Sequence, residues 1–241
     1  MNAQPNVAAA AALIGEPTRA AILTALLGGQ SLLAGELAAR ARVSPQTASA
    51  HLAKLVAGSL LVVEAQGRHR SFRLANDRVA HVVEALGAIA PRGQVRSLGE
   101  SLEVEAMRSA RTCYDHLAGR LGVALTRSLL DRGYLKKMNN DFCLTPSGEE
   151  GLTRWGIDVE RARRTRRKFA FRCLDWSEQR YHLAGALGAA ITAQLSALQW
   201  IRRLPGGRAV QVTAAGRSGF WAKFQVDVGS LVEPSQRADP E

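Results

Sequence analysis

Ser44-Pro45-Gln46-Thr47-Ala48-Ser49-Ala50-His51-Leu52-Ala53-Lys54-Leu55 is the stretch on which the fold turns. Ser44 suits an N-cap and Pro45 the first helical position, where a missing N–H costs nothing. Leu52 and Leu55 can face a core, which leaves Gln46, Thr47, Ser49, Ala50 and Lys54 largely outward. Short polar side chains at the start of a helix reach base edges and phosphates without holding the helix out of a major groove about 12 Å wide. The spacing therefore predicts a recognition helix. His51 is open to two readings, a phosphate contact or local packing.

Working outward, Pro17 to Leu27 places Ile22, Leu23, Leu26 and Leu27 on one helical face, with Gly28-Gly29 as the stop. A second helix is expected over Leu32 to Ala41, with Leu33 and Leu37 inward and a stop at Arg42-Val43. Beyond Gly58, two β-rich runs, Leu60 to Glu64 and Ser71 to Leu74, flank Gln66-Gly67-Arg68-His69-Arg70. That pattern reads as a hairpin wing, its tip offering Arg68, His69 and Arg70 to phosphates or the minor groove.

With these elements in order, the chain resembles the ArsR family of winged-helix repressors. The resemblance is carried by VSPQTASAHLAKLVAGSLL and the wing GRHRSFRL, over about residues 10 to 90. It implies a homodimer on a palindromic operator, released by an inducer. Two-fold symmetry doubles the contacts of one short helix on half-sites about one DNA turn apart. The apolar segment Val7 to Ile14 and a helix from Asp77 to Ala90 are the expected dimer surfaces. A winged helix serving only protein contacts is the competing reading.

Composition agrees with this direction. The chain has 241 residues, enough for two domains, and a net charge of +11, which favours a polyanionic partner. Hydrophobic residues make up 46% but aromatics only 5%, so Ala and Leu supply most of the apolar surface and a mainly helical fold is expected. No run approaches the roughly 18 apolar residues of a membrane span, and Val7 to Ile14 lacks a preceding basic region, so a cytoplasmic protein with no membrane partner is expected. Three cysteines do not make a disulfide framework.

Metal sensing has little support in the first domain. Ala34-Gly35-Glu36-Leu37 contains no thiol, and only His81 and Glu84, with Asp77 one turn earlier, have ligand-like spacing. The pattern lacks a second histidine, and a capped helix with Asp77 as N-cap and a surface His and Glu explains it better, so no metal site is assigned. The cofactor is unknown.

The second half, beyond a linker at Pro91-Arg92-Gly93-Gln94, contains a repeat. His116-Leu117-Ala118-Gly119 recurs as His182-Leu183-Ala184-Gly185, and Leu144-Thr145-Pro146-Ser147-Gly148 has its counterpart in Val212-Thr213-Ala214-Ala215-Gly216. These markers lie 66 and 68 residues apart. Upstream, Cys113-Tyr114-Asp115 corresponds to Cys173-Leu174-Asp175. Duplication predicts a helical domain of two similar units, about residues 108–155 and 168–224, each with a helix of about fourteen residues, a turn, a short strand and a Thr-x-x-Gly segment opening another helix.

Between paired units a cleft is expected, lined by Cys113, Tyr114, Asp115, His116, Cys173, Asp175, Trp176 and His182, as a candidate effector site. Paired Cys and His suit a soft metal or haem, a thiol pair suits oxidant sensing, and Trp176, Tyr114 and Tyr181 suit an organic ligand. The structural alternative is that HLAG forms tight helix packing through its small residues.

The basic run Arg161 to Lys168, read as a helix, would spread charge around its circumference and either meet flanking DNA or pair with Glu103, Glu105, Glu149 or Glu150. The organisation expected is thus a winged helix-turn-helix domain over 1–92, an effector domain over 93–232, and a disordered tail over 233–241. The function expected is a DNA-binding regulator that binds double-stranded DNA, itself and a small-molecule effector. An enzyme using Cys113 or Cys173 with His116 or His182, or a constitutive architectural DNA-binding protein, are the rivals; no nucleophile elbow or P-loop occurs, so an enzyme is not expected.

Overall fold

The computed structural model describes residues 4–66, 69–91, 97–139 and 141–232, in two compact units, Met1–Ile89 and Ala90–Glu241. The first unit runs α1 (Val7–Ile14), α2 (Pro17–Leu26), β1 (Leu32–Leu33), α3 (Ala34–Ala41), α4 (Pro45–Ala57), β2 (Leu61–Gln66), β3 (His69–Leu74) and α5 (Asp77–Ile89). The helices α2, α3 and α4 pack on one another and bury Ile22, Leu23, Leu26, Leu37, Leu52 and Leu55. An antiparallel sheet in the order β1-β3-β2 completes a winged helix-turn-helix, with Phe72 opposite both Leu32 and Val63.

Local chemistry sets these boundaries. Glu16 caps α2 by accepting from Thr18 N and Arg19 N at 3.0 and 2.9 Å. Leu33 departs from expectation: Leu32-Leu33 is a strand, so alternation buries Leu32 at 6% exposure and turns Leu33 outward at 42%. The helix begins only at Ala34 and ends at Arg42, which takes the left-handed conformation at φ 55°. At α5 the cap is Asn76, whose Oδ1 accepts from Val79 N at 3.1 Å, and not the expected Asp77, which sits in the first turn.

The second unit is also mainly helical, with small hairpins. Its first stretch is α6 (Leu98–Ser109), the hairpin β4 (Arg111–Cys113) and β5 (His116–Ala118), α7 (Gly119–Asp131), the hairpin β6 (Leu135–Met138) and β7 (Asp141–Leu144), and α8 (Pro146–Arg154). Its second is α9 (Val159–Arg163), β8 (Phe171–Leu174) and β9 (Tyr181–Ala184), α10 (Gly185–Ala197), β10 (Ile201–Arg203) and β11 (Val210–Val212), α11 (Ala214–Phe224) and the short α12 (Gly229–Val232). Where one strand was expected after each long helix there is a two-stranded hairpin, since each apolar run has a partner across a turn.

Both long helices span 13 residues and turn the same face to the core: Leu121, Leu125 and Leu129 from α7, Leu187, Ile191 and Leu195 from α10. Thr145 and Thr213 cap α8 and α11 in the same way, each accepting from the glycine three residues on, at 3.0 and 2.9 Å. The basic run is not one helix: α9 stops at Arg163, and the cations that follow lie on irregular chain. Of the expected linker Pro91 to Gln94, residues 92–94 lie outside the described residues, as does the tail at 233–241.

Candidate nucleic-acid interface and candidate ligand centre

The face of α4 is built by its two ends and its core contacts. Ser44 Oγ accepts from Thr47 N at 3.1 Å, and Ala48, Leu52 and Leu55 fix the rotation of the helix by burying one side. Gln46, Thr47, Ser49, Ala50 and Lys54 are all exposed as a consequence. His51 is turned the other way: its Nδ1 stands 3.1 Å from Glu16 Oε2, so the imidazole braces the start of α2 and does not extend the outward face. Burial works against the Glu16 carboxylate, but the N–H groups of Thr18 and Arg19 outweigh it and lower its pKa.

On the wing, Arg70 is exposed opposite Ala65. Arg68 and the side chain of His69 lie outside the described residues. On α5, His81 is exposed and Glu84 buried, so the pair does not present two ligands to one side. The apolar Val82, Leu86 and Ile89 of α5 and Val7 of α1 face outward, and α1 buries none of its residues.

The second unit gathers the repeated residues. Cys113 pairs with His116 across β4 and β5, and Cys173 with His182 across β8 and β9, so each hairpin presents one sulfur and one imidazole side by side. The hairpins meet: the Sγ atoms are 4.0 Å apart, the two Nε2 atoms 3.2 Å apart, and one ligand atom from each of the four residues lies within 4.8 Å of every other. All four side chains are buried. Among the described residues no other group of three or more His, Cys, Asp or Glu is arranged to hold an ion.

Carboxylates stand behind both rings. His182 Nδ1 lies 3.3 Å from Asp175 Oδ2, and His116 Nδ1 lies 3.6 Å from Asp115 Oδ1, ion-pair contacts that fall short of hydrogen-bond geometry. Asp175 is fully buried and accepts from Gly119 N at 2.7 Å, Ser177 Oγ at 2.8 Å and Ser177 N at 3.0 Å. Arg111, also at 0% exposure, places Nη2 3.0 Å from the same carboxylate, donates through Nη1 to Met107 O and Ser177 Oγ, and stacks on Trp176 at 4.5 Å. Burial opposes the charge on Asp175, yet the contacts with His182, Arg111 and Ser177 outweigh it and hold the carboxyl far below the usual range. Burial likewise opposes protonation of both imidazoles. For His116, Cys113 and Asp115 raise the pKa against it; for His182, Asp175 and Cys113 do.

Two glycines make the close approach possible. A Cβ on Gly122 would stand 2.5 Å from Leu117 O and 3.8 Å from His182 Cβ; one on Gly188 would stand 2.7 Å from Leu183 O and 3.1 Å from His116 Cβ. Each histidine therefore packs over the glycine of the other stretch. Sequence reasoning found the four convergent residues but missed Gly122, Gly188 and Arg111. The glycines had a signal, since both HLAG segments continue to a second Gly after two residues; Arg111 had none.

The organic-ligand reading is not met here. Between Leu117, Thr126, Leu183 and Thr192 there is about 10 Å³ of space, room for at most one water. Trp176 lies under Arg111, Tyr181 is exposed beneath Arg172 at 3.8 Å, and Tyr114 occupies the turn between β4 and β5 at φ 60°. Half of the basic run is paired: Arg167 bonds Asp115, Arg163 donates to Glu149 at 2.7 Å, and Lys168 meets Asp141 at 2.6 Å, while Arg161, Arg164 and Arg166 stay exposed. Of the expected acids Glu149 takes part, whereas Glu105 pairs with Arg120 and Glu150 with Arg154.

A winged helix with a capped, outward polar helix defines a DNA-binding protein of the helix-turn-helix class. A model for the helix-turn-helix domain matches residues 14–64. A protein of Bacillus subtilis (strain 168), described as the uncharacterized HTH-type transcriptional regulator YdfF, is 45% identical over 224 residues, 93% of this chain and 99% of that one. The chain belongs to the family of helix-turn-helix transcriptional regulators that this relative represents. Among solved structures, reduced HlyU of Vibrio cholerae is 24% identical over 36% of this chain and 90% of its own, with a TM-score of 0.33. The winged helix-turn-helix domain of Mb0332 from Mycobacterium bovis, described as homodimeric and DNA-binding, is 21% identical over 40% of this chain and 100% of its own, at 0.32. No single helix among the described residues is long and apolar enough to cross a membrane.

Proposed function

We propose that the chain is a homodimeric repressor of the ArsR type that binds a palindromic operator and is released from it by an effector held in the second unit. The observation that carries the reading is the exposure of Gln46, Thr47, Ser49, Ala50 and Lys54 on a helix whose opposite side is locked into the core. Two such helices from a dimer would enter successive major grooves, with Ser44 at the mouth of each groove and Arg68, His69 and Arg70 of each wing on the flanking backbone. The exposed apolar side chains of α1 and α5 supply a surface for pairing. The second unit reads as a duplication, on the strength of its twice-repeated order of helix, hairpin, helix, hairpin and helix. A regulator of this kind needs its effector to bind the DNA-incompetent state more tightly.

The test is fluorescence anisotropy on fragments of the chain's own promoter region, with unrelated DNA as competitor at moderate salt. Specific binding as a dimer is expected, and Gln46→Ala should weaken it about tenfold, from the roughly 1–3 kcal/mol that a good base contact contributes. Equal, weak retention of every fragment overturns the proposal.

A further inference from the structure

We infer that Cys113, His116, Cys173 and His182 form a tetrahedral zinc site. As an extension that rests on the repressor reading above, this site is where the effector acts.

Four observations converge on it. First, the donor set is two sulfurs and two imidazole nitrogens, the set that zinc takes in closed sites. Second, the spacing fits: bonds of about 2.3 Å to sulfur and about 2.0 Å to nitrogen at tetrahedral angles set the sulfurs about 3.8 Å and the nitrogens about 3.3 Å apart. The structure has 4.0 and 3.2 Å. Third, the carboxylates lie on the far nitrogens, Asp175 behind His182 and Asp115 behind His116. That arrangement favours hydrogens on Nδ1 and aims both Nε2 lone pairs at the same point, as outer-shell carboxylates do around metal-bound histidines. Fourth, all four side chains are buried, with one ligand atom from each lying within 4.8 Å of every other. A central cation satisfies all four groups at once.

The same sulfurs admit another chemistry, because 4.0 Å is about twice the length of a disulfide and a modest shift would join them. The experiment separates the two. Full-length protein, stripped of metal and kept reduced with a non-thiol reductant, is titrated with Co²⁺ and followed by absorption. The expected result is one equivalent bound, with the intense visible bands of tetrahedral cobalt and sulfur-to-cobalt charge transfer in the near ultraviolet, both erased by Zn²⁺. Cys113→Ser and His182→Gln should each lose these bands, while Cys143→Ser, outside the cluster, keeps them. Native mass spectrometry of the unaltered chain reads the stoichiometry without any variant, should the variants not fold.

Pale octahedral cobalt bands, bands that survive in Cys113→Ser, binding of Cu⁺ but not Zn²⁺, or a Cys113–Cys173 disulfide in protein that retains no metal would each overturn the site. Anisotropy on operator DNA with and without Zn²⁺ then tests the regulatory half. Specific DNA binding unchanged by bound zinc sinks the effector role and leaves the repressor standing. Absence of specific DNA binding in protein that holds zinc sinks the repressor reading and leaves the site.

Discussion

Glycines at two positions in the chain have opposite duties, and the contrast makes a direct test. Gly188 sits where an added methyl would press on Leu183 O at 2.7 Å and His116 Cβ at 3.1 Å, whereas Gly35 in α3 has nothing within 4 Å. Gly188→Ala should therefore destabilise by about 1–3 kcal/mol, as overpacking does. Gly35→Ala should stabilise by about 0.5–1 kcal/mol by restricting the unfolded chain. Chemical denaturation of both variants reads the difference; equal effects would mean that the hairpins do not depend on this close approach. At this scale the sequence was informative where a residue's duty follows from its neighbours in the chain. Ser44 as a cap and Leu52 and Leu55 as core residues are read from helical spacing. Leu33 was not, because two leucines before a helix fit its first turn or a short strand equally well, and only the distant Phe72 decides. Arg111 was not either, since nothing around it announces a guanidinium buried against Asp175, sixty-odd residues away.

Among elements, α4 bears the argument for DNA binding, and its two kinds of outward residue should separate in experiment. Gln46, in the first turn of α4, is proposed to read base edges, and Lys54, in its last turn, to supply charge to the backbone. Lys54→Ala should weaken binding to all sequences alike and lower the slope of log affinity against log salt by about 0.9, the loss of one phosphate contact. A change in sequence preference in that variant would reassign Lys54 to base reading. His51 belongs to the brace between α2 and α4 and should matter for folding more than for affinity. The hairpins were harder to foresee than the helices. Strands of three or four residues leave too little alternation to mark a period, and the pairing of Cys113 with His116 is a matter of register across a turn.

For the whole molecule, linkage supplies a check that needs no structure of the complex. If zinc weakens operator binding by some factor, operator DNA must weaken zinc binding by the same factor, typically between about 5-fold and 150-fold. Measuring the zinc affinity with and without operator should return the reciprocal value; a mismatch would show that a further ligand or species is involved. The repeat was legible because HLAG is distinctive enough to be seen twice, but the crossing of the two stretches was not, since it depends on Gly122 and Gly188 admitting each other's histidine.

That crossing bears on ancestry. Half of this unit owns a single thiol and a single imidazole for the centre, so a forebear with only one stretch could have completed the same cage only by meeting its twin. Fusion of two gene copies would then have made permanent, within one polypeptide, what began as an encounter between two.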